Sequence, residues 1–214
     1  MVDRRTYLAS AGTALAAATA GCGFILGNEP ATFSASASAV SDSVLEETGY
    51  EFTGNEEMEV RRELSAGGQT REVVATNVQA NYEKSIDLGP LGEQRAAVFT
   101  SLTTPQAEVL GETFNPIEDM SARELAQRVQ DTYEEFSNIE ERDESEVTIN
   151  GNTTTQVKFA SDAALSGNPI EIYLHVSEAV ELGSDFVVTF GSYPQGNERE
   201  ESNILSLMEA VESA

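Results

Sequence analysis

Tryptophan is absent from this sequence, lysine occurs only at Lys84 and Lys158, and cysteine and histidine occur once each, at Cys22 and His175. A lone cysteine excludes an intrachain disulfide and any multi-cysteine metal site. There is no G-x-S-x-G nucleophile elbow, no G-x-G-x-x-G turn and no G-K-[ST] phosphate loop. The acidic run Asp143, Glu144, Glu146 departs from the D-x-[DN]-x-[DN]-G pattern of a calcium loop. These absences lead us to expect no catalytic residue, no cofactor and no metal ligand. Two enzymatic routes are left open: a serine-histidine-acid triad built without that elbow, and carboxylate-only catalysis, which needs just a pair of acids in a cleft. His175 lies in "EIYLHVS", sharing a strand face with Glu171 and Tyr173. A carboxylate four residues away along a strand is roughly 13 Å distant. We therefore expect a surface or helix-covered histidine rather than a ligand.

Positive charge is scarce as well. Twelve Lys and Arg stand against 37 Asp and Glu, for a formal net charge of -25. The first 21 residues hold Asp3, Arg4 and Arg5, a net of +1, so the other 193 carry -26. Such a charge opposes folding in dilute buffer by self-repulsion. At molar salt the Debye length shrinks to about 3 Å and the repulsion largely vanishes. The balance excludes nucleic acid as a partner, because that needs a basic footprint. Hydrophobic residues still make up 40% of the chain and fall in clear periods, which argues for a folded domain rather than disorder.

What the sequence does have is concentrated first at its start. Arg4 and Arg5 precede an apolar, alanine-rich run from Leu8 to Gly21 that ends at Cys22. A charged n-region before a short apolar stretch is the pattern of an export signal. The run is too short to span a bilayer, which takes roughly 20 apolar residues. The paired arginines with Tyr7 and Leu8 resemble a twin-arginine signal, with Asp3 where Ser or Thr is usual. Thr19-Ala20-Gly21-Cys22 resembles a lipobox, with Thr19 where Leu is usual. This resemblance implies that Cys22 becomes the mature N-terminus and carries a diacylglycerol, so that the membrane is a partner through the lipid and the protein faces outside. We therefore divide the chain into a signal peptide (1–21), a lipidated tether (22–31) and one globular domain (32–214).

Within that domain, "TFSASASAV" alternates like a strand. "SDSVLEETG" reads as a short helix from Ser41 to a stop at Gly49. "EMEVRREL" and "REVVATNVQANYEKSI" flank Ala66-Gly67-Gly68 as a hairpin, with Val74, Thr76, Val78, Ala80 and Tyr82 on one face. A turn near Pro90 leads to the strand "RAAVFTSLTT", and 104–120 reads as an irregular connection. Ser121 and Glu124 form a capping box that opens a helix to Phe136, with Leu125, Val129 and Tyr133 on its apolar stripe. The acidic "EERDESE" is expected to end it. "EVTIN" and "TTTQVKFAS" flank Asn150-Gly151-Asn152, a hairpin-turn signal. "PIEIYLHVS" points Ile170, Ile172, Leu174 and Val176 inward, and "DFVVTFGSY" is apolar on both faces like a central strand. A helix over 199–213 closes the chain and buries Ile204, Leu205, Leu207, Met208 and Val211. Asn152-Thr153-Thr154 also fits a glycosylation sequon at a hairpin tip; the alternative is a turn with a left-handed Asn.

These elements add to an α+β fold in a single domain, with a mostly antiparallel sheet of about eight strands and about three helices packed on it. From Arg95 onward the order is strand, proline-bearing connection, capped helix, hairpin at Ile149-Asn150-Gly151, two long strands and a C-terminal helix. That order resembles the α/β/α sandwich of the PsbP-like proteins, which include photosystem II extrinsic subunits and assorted bacterial lipoproteins. The whole chain resembles the uncharacterised secreted lipoprotein families of halophilic archaea. The resemblance implies a non-catalytic binding or assembly module with an unknown protein partner. A small-ligand or ion-binding lipoprotein is the alternative, and a hydrolase the weaker third. The acidity carries its own prediction. Melted across a salt series, the domain should gain stability steadily from dilute buffer to molar salt. Equal melting temperatures at both ends would make the acidity functional rather than environmental.

Overall fold

The structure is a computed structural model that describes residues 30–214 except 67–68, 110–111, 116, 133–135 and 166. The N-terminal part runs through β1 (Ala31–Ser34), β2 (Ser38–Val40), α1 (Asp42–Thr48), β3 (Glu51–Ala66) and β4 (Gln69–Asp87). A 3-10 turn at Gly89–Leu91 then precedes β5 (Glu93–Pro105), the short β6 (Ala107–Val109) and β7 (Glu112–Phe114), and α2 (Ala122–Thr132). The remainder is β8 (Ser137–Ile149), β9 (Asn152–Leu165), β10 (Asn168–Ser177), β11 (Val180–Leu182), β12 (Asp185–Pro194), α3 (Glu198–Glu209) and β13 (Val211–Ser213).

Nine strands form one sheet. Its spine is β4-β5-β12-β10-β9-β8, with β3 on the outer side of β4 and β11 on β12. β5 pairs with Val78–Asp87 of β4, and β1 runs parallel to the same strand at Val73–Thr76. Because β3 occupies the other side of β4 throughout, β1 continues the line of β5. The sheet is mostly antiparallel, as expected, but it has nine strands rather than about eight and is mixed, because β1 runs parallel to β4.

Alternation gives both faces of the sheet a core. On one face Ala80, Tyr82, Phe99 and Val187 meet Val44 and Leu45 of α1, Ile204, Leu207 and Met208 of α3, and the small β2–β13 ribbon through Val40 and Val211. On the other, Val157, Phe159, Leu174, Val176 and Val188 meet Ala122, Leu125 and Ala126 of α2. β12 contributes Val187 to the first and Phe186 and Val188 to the second, as expected of a central strand. The fold is α+β, with helices on both faces.

Local signals account for several boundaries. α1 stops at Gly49, whose φ of 76° places it in the left-handed region and whose N–H donates to the Leu45 carbonyl at 2.8 Å. The Ser41 side chain makes no capping bond there. At α2 the capping box is complete: the Ser121 N–H donates to Glu124 Oε2 at 2.9 Å and the Glu124 N–H donates to Ser121 Oγ at 3.3 Å. The Ser121 N–H, joined by the Ser121 hydroxyl donating to the same Oε2 at 2.8 Å, holds the exposed Glu124 carboxyl below its ordinary pKa. Asn150 and Gly151, at φ 49° and 77°, make the two-residue turn that joins β8 to β9.

Other expectations are corrected. "EERDESE" does not terminate α2 but forms the body of edge strand β8, where its carboxylates stay in water without helical geometry. The α2 helix ends by Thr132, and Tyr133 lies outside the described residues. The C-terminal helix stops at Glu209, and Val211 is buried as part of β13 on β2. Leu205 is only half-buried. "TFSASASAV" splits into β1 and β2, and the connection 104–120 contains the β6–β7 hairpin.

α3 lies so close to β12 that a Cβ on Gly191 would stand 2.5 Å from Ile204 Cγ2. Gly191→Ala should therefore push α3 off the sheet and cost about 1–3 kcal/mol. Chemical denaturation of the variant at fixed salt checks this. Gly191→Ala combined with Ile204→Val should recover part of the loss.

Candidate functional site

The side chains with the most chemistry converge where the first turn of α3 meets the sheet. Both lysines of the chain are there. Lys84 of β4 places Nζ 2.6 Å from Glu200 Oε1, and Glu200 Oε2 accepts from Asn203 Nδ2 at 3.0 Å. Lys158 of β9 places Nζ 2.7 Å from Glu201 Oε2. Each ammonium also faces an aromatic ring, Tyr50 at 5.6 Å for Lys84 and Tyr173 at 4.2 Å for Lys158. Glu198, Glu200 and Glu201 all sit in the first turn, where the helix dipole favours negative charge.

Between the lysines lies His175. Strand alternation puts Tyr173, His175 and Ser177 on the α3 face of β10, opposite Ile172, Leu174 and Val176. His175 is completely buried, so the helix-covered alternative holds and the surface one does not. Its Nδ1 lies 3.0 Å from Gln156 Oε1 and its Nε2 lies 3.2 Å from the Tyr193 hydroxyl. An amide oxygen can only accept, so Nδ1 carries the proton and the Tyr193 O–H donates to Nε2. The chain continues from Gln156 Nε2 to Ser145 Oγ at 2.7 Å. Burial pushes His175 down to about 4, against an opposing pull from Glu201 and Asp143. Burial, and then the charge of Glu201, raises the Tyr193 phenol well above its ordinary value.

Tyr50 completes the cluster. It is 2% exposed and its hydroxyl has no hydrogen-bond partner among the described residues, although it lies in the field of Glu200. Burial first, and that charge second, keeps the phenol protonated. Alongside, Ser177 Oγ accepts from the Thr189 N–H and from Thr189 Oγ1, both at 2.9 Å. Apart from the Tyr50 hydroxyl, the assembly is a set of matched internal partners: a neutral imidazole, the protonated Tyr193 phenol and carboxylates paired with lysine.

The residues singled out from the sequence do not come together here. Arg4, Arg5 and Cys22 lie outside the described residues. Asn152 is exposed beside the β8–β9 turn, and its Nδ2 donates to the Glu181 carbonyl at 3.2 Å. It is Asn150, not Asn152, that takes the left-handed conformation. Asp143, Glu144 and Glu146 are exposed on β8. Among the described residues there is no group of three metal-ligating side chains, and no helix is long and apolar enough to cross a membrane. Glu200, Glu201, Gln156, Tyr50 and Tyr193 carry no motif. The one sequence signal that could have led to them is the pair of lysines in a chain nearly devoid of that residue.

A second feature is polar and less covered. On the α2 face, Asn77, Gln79 and Asn81 of β4 and Thr100 of β5 form a half-buried strip beside Leu102 and Phe190. Asn81 Oδ1 accepts from Gln79 Nε2 at 2.7 Å and from Thr100 Oγ1 at 3.0 Å. A family model described as a domain of unknown function, DUF6517, matches residues 37–212. No curated protein matches the chain.

The buried histidine makes stability depend on pH. The unfolded imidazole takes up a proton near pH 6.5, while the folded one resists until about 4. Stability is therefore present above 6.5 and lost as the pH falls through that window. Relative to His175→Gln, the wild type should lose on the order of 3 kcal/mol across it. Guanidinium unfolding at fixed ionic strength, with the two proteins compared at each pH, isolates this from the many carboxylates. Parallel curves would contradict the assignment.

Proposed function

We propose, for a chain that belongs to the DUF6517 family, an exported lipoprotein held by a lipid on Cys22 at the outer face of the cell membrane. It acts there as a non-catalytic binding or assembly module in a high-salt organism. The carrying observation is the internal use of its reactive side chains. A general base must come within hydrogen-bonding reach of its substrate, and His175 is fully buried with both ring nitrogens occupied by Gln156 and Tyr193. Among the described residues, no acid or serine makes a hydrogen bond to its ring.

Three further observations support parts of the reading. β5, α2, the β8–β9 hairpin, β10, β12 and α3 follow in the PsbP-like order, with helices on both faces of the sheet. Neither lysine is left as a free surface cation, which suits a surface adapted to molar salt. The strip of Asn77, Gln79, Asn81 and Thr100 offers amide and hydroxyl groups beside apolar Leu102 and Phe190, a mixture suited to protein contact. A net charge of -25 leaves nucleic acid out.

The test uses the full chain in membranes at its working salt. The wild type should fractionate with membrane and carry a diacylglycerol mass on the peptide that begins at Cys22, whereas Cys22→Ser should be released. A photo-crosslinking side chain at Gln79 should capture a protein in the anchored chain. Unchanged retention of Cys22→Ser without a lipid mass would sink the anchor. No adduct from Gln79 would sink the binding strip and leave the anchor standing.

A further inference from the structure

The two edges of the sheet are both charged, but their charges are arranged differently. Edge strands expose unpaired N–H and C=O groups, and charge on them usually blocks pairing with another chain. β8 fits that role. Its exposed run Glu140, Glu141, Arg142, Asp143, Glu144, Ser145, Glu146 has acids on both sides of one arginine. Laid antiparallel on itself, β8 sets acid against acid in any register near its centre.

β3 does not. Among the described residues it pairs with β4 on one side alone, and its residues from Glu51 to Glu63 are exposed apart from half-buried Gly54, Met58 and Val60. Its charges are segregated along the strand: Glu56, Glu57 and Glu59 precede Arg61 and Arg62. Arg61 is held by Glu59 at 2.5 Å and Glu72 at 3.4 Å. Arg62 has no ion-pair partner among the described residues, in a chain where cations are outnumbered threefold by acids.

We infer that the free edge of β3 pairs antiparallel with β3 of a second copy of this chain, about a two-fold axis at Glu59. That register sets Glu56 opposite Arg62, Glu57 opposite Arg61 and Met58 opposite Val60, each twice. Glu56, Met58, Val60 and Arg62 share the face on which Met58 and Val60 are half-buried, because Met58 registers with Asn77 and Val60 with Ala75. On that face every cross-strand pair is either apolar or of opposite charge, the combinations that stabilise a ladder. On the other face Glu59 meets its symmetry mate, with both Arg61 side chains drawn to the axis. The backbone supplies the affinity, as in other strand additions, and the charge order selects this register. The contact is isologous and closes as a dimer, extending the sheet across two copies. Repulsion between two bodies of this charge is screened at molar salt, so the dimer belongs to that regime.

Disulfide trapping of the full chain in salt-matched membranes tests this. At the axis, Cα atoms of a symmetric pair lie about 4.5–5.5 Å apart, within disulfide reach. At position 55 they are separated by roughly 27 Å. Glu59→Cys should therefore give a product of twice the chain mass on oxidation, above any background from the wild type, and Asn55→Cys should not. Adding Arg62→Glu to Glu59→Cys sets acid against acid twice and should cut the product at least tenfold. Adding Glu56→Arg as well restores opposite charges and should recover most of it. Both positions are exposed, so the fold is left intact. No dimer from Glu59→Cys, equal trapping at 55, a product of another mass, or failure of the charge swap to restore trapping would each overturn the proposal.

Discussion

Glu200 and Glu201 are neighbours in the first turn of α3, and about 100° of helical rotation separates their side chains. One reaches back to Lys84 on β4 and the other across to Lys158 on β9. The helix is thereby held over β5, β12 and β10, the strands that lie between those two lysines. Its centre settles where Gly191 leaves room for Ile204. Breaking a buried pair by removing one partner costs about 3–5 kcal/mol, because it strands a charge. That figure suits the deeper Lys84–Glu200 pair. Glu201 is 39% exposed, so water weakens the second pair toward the roughly 0–1 kcal/mol of surface bridges.

The rest of that face depends on α3 being where it is. The helix roofs His175 and keeps it neutral. It also leads into β13, which pairs with β2 and sets the Val40 N–H on the Tyr82 hydroxyl at 3.0 Å. Below β2, Ser38 Oγ meets Ser101 Oγ at 2.8 Å and accepts from Thr103 Oγ1 at 3.2 Å. Polar groups inside a core must find partners or carry their full desolvation cost. Here nearly all do, and among the described residues the Tyr50 hydroxyl is the exception.

Charge is distributed with the same logic. The lysines are spent on partly buried pairs beneath α3, while Arg61 of β3, Arg95 of β5, Arg123 of α2 and Arg142 of β8 make exposed pairs. Exposed pairs contribute little to stability in salt. Their value lies in breaking up runs of carboxylates, and on β3 in giving the strand a direction of charge. One interior thus tolerates a surface that repels itself in dilute buffer and is quiet at molar salt.

The features legible in the sequence were those set within a few residues. The capping box at Ser121 and Glu124, the stop at Gly49, the turn at Asn150-Gly151 and the alternation of Ile172, Leu174 and Val176 follow from local dihedral preferences and strand period. The acidity needed only counting. The same local reading failed where chemistry was ambiguous: a polar acidic run suits a helix end or an edge strand equally, and β8 became the latter because β9 was there to pair with it. It failed again at the C-terminus, where Val211 suits the helix stripe but finds a strand partner in β2. The parallel β1–β4 pair, the burial of His175 and the two Lys–Glu contacts were decided by tertiary structure alone. Lys84 and Glu200 are 116 residues apart, and Lys158 and Glu201 are 43 apart. No short-range pattern encodes such a meeting, because it exists only once the sheet register has brought β4 and β9 to either side of the strands that α3 covers.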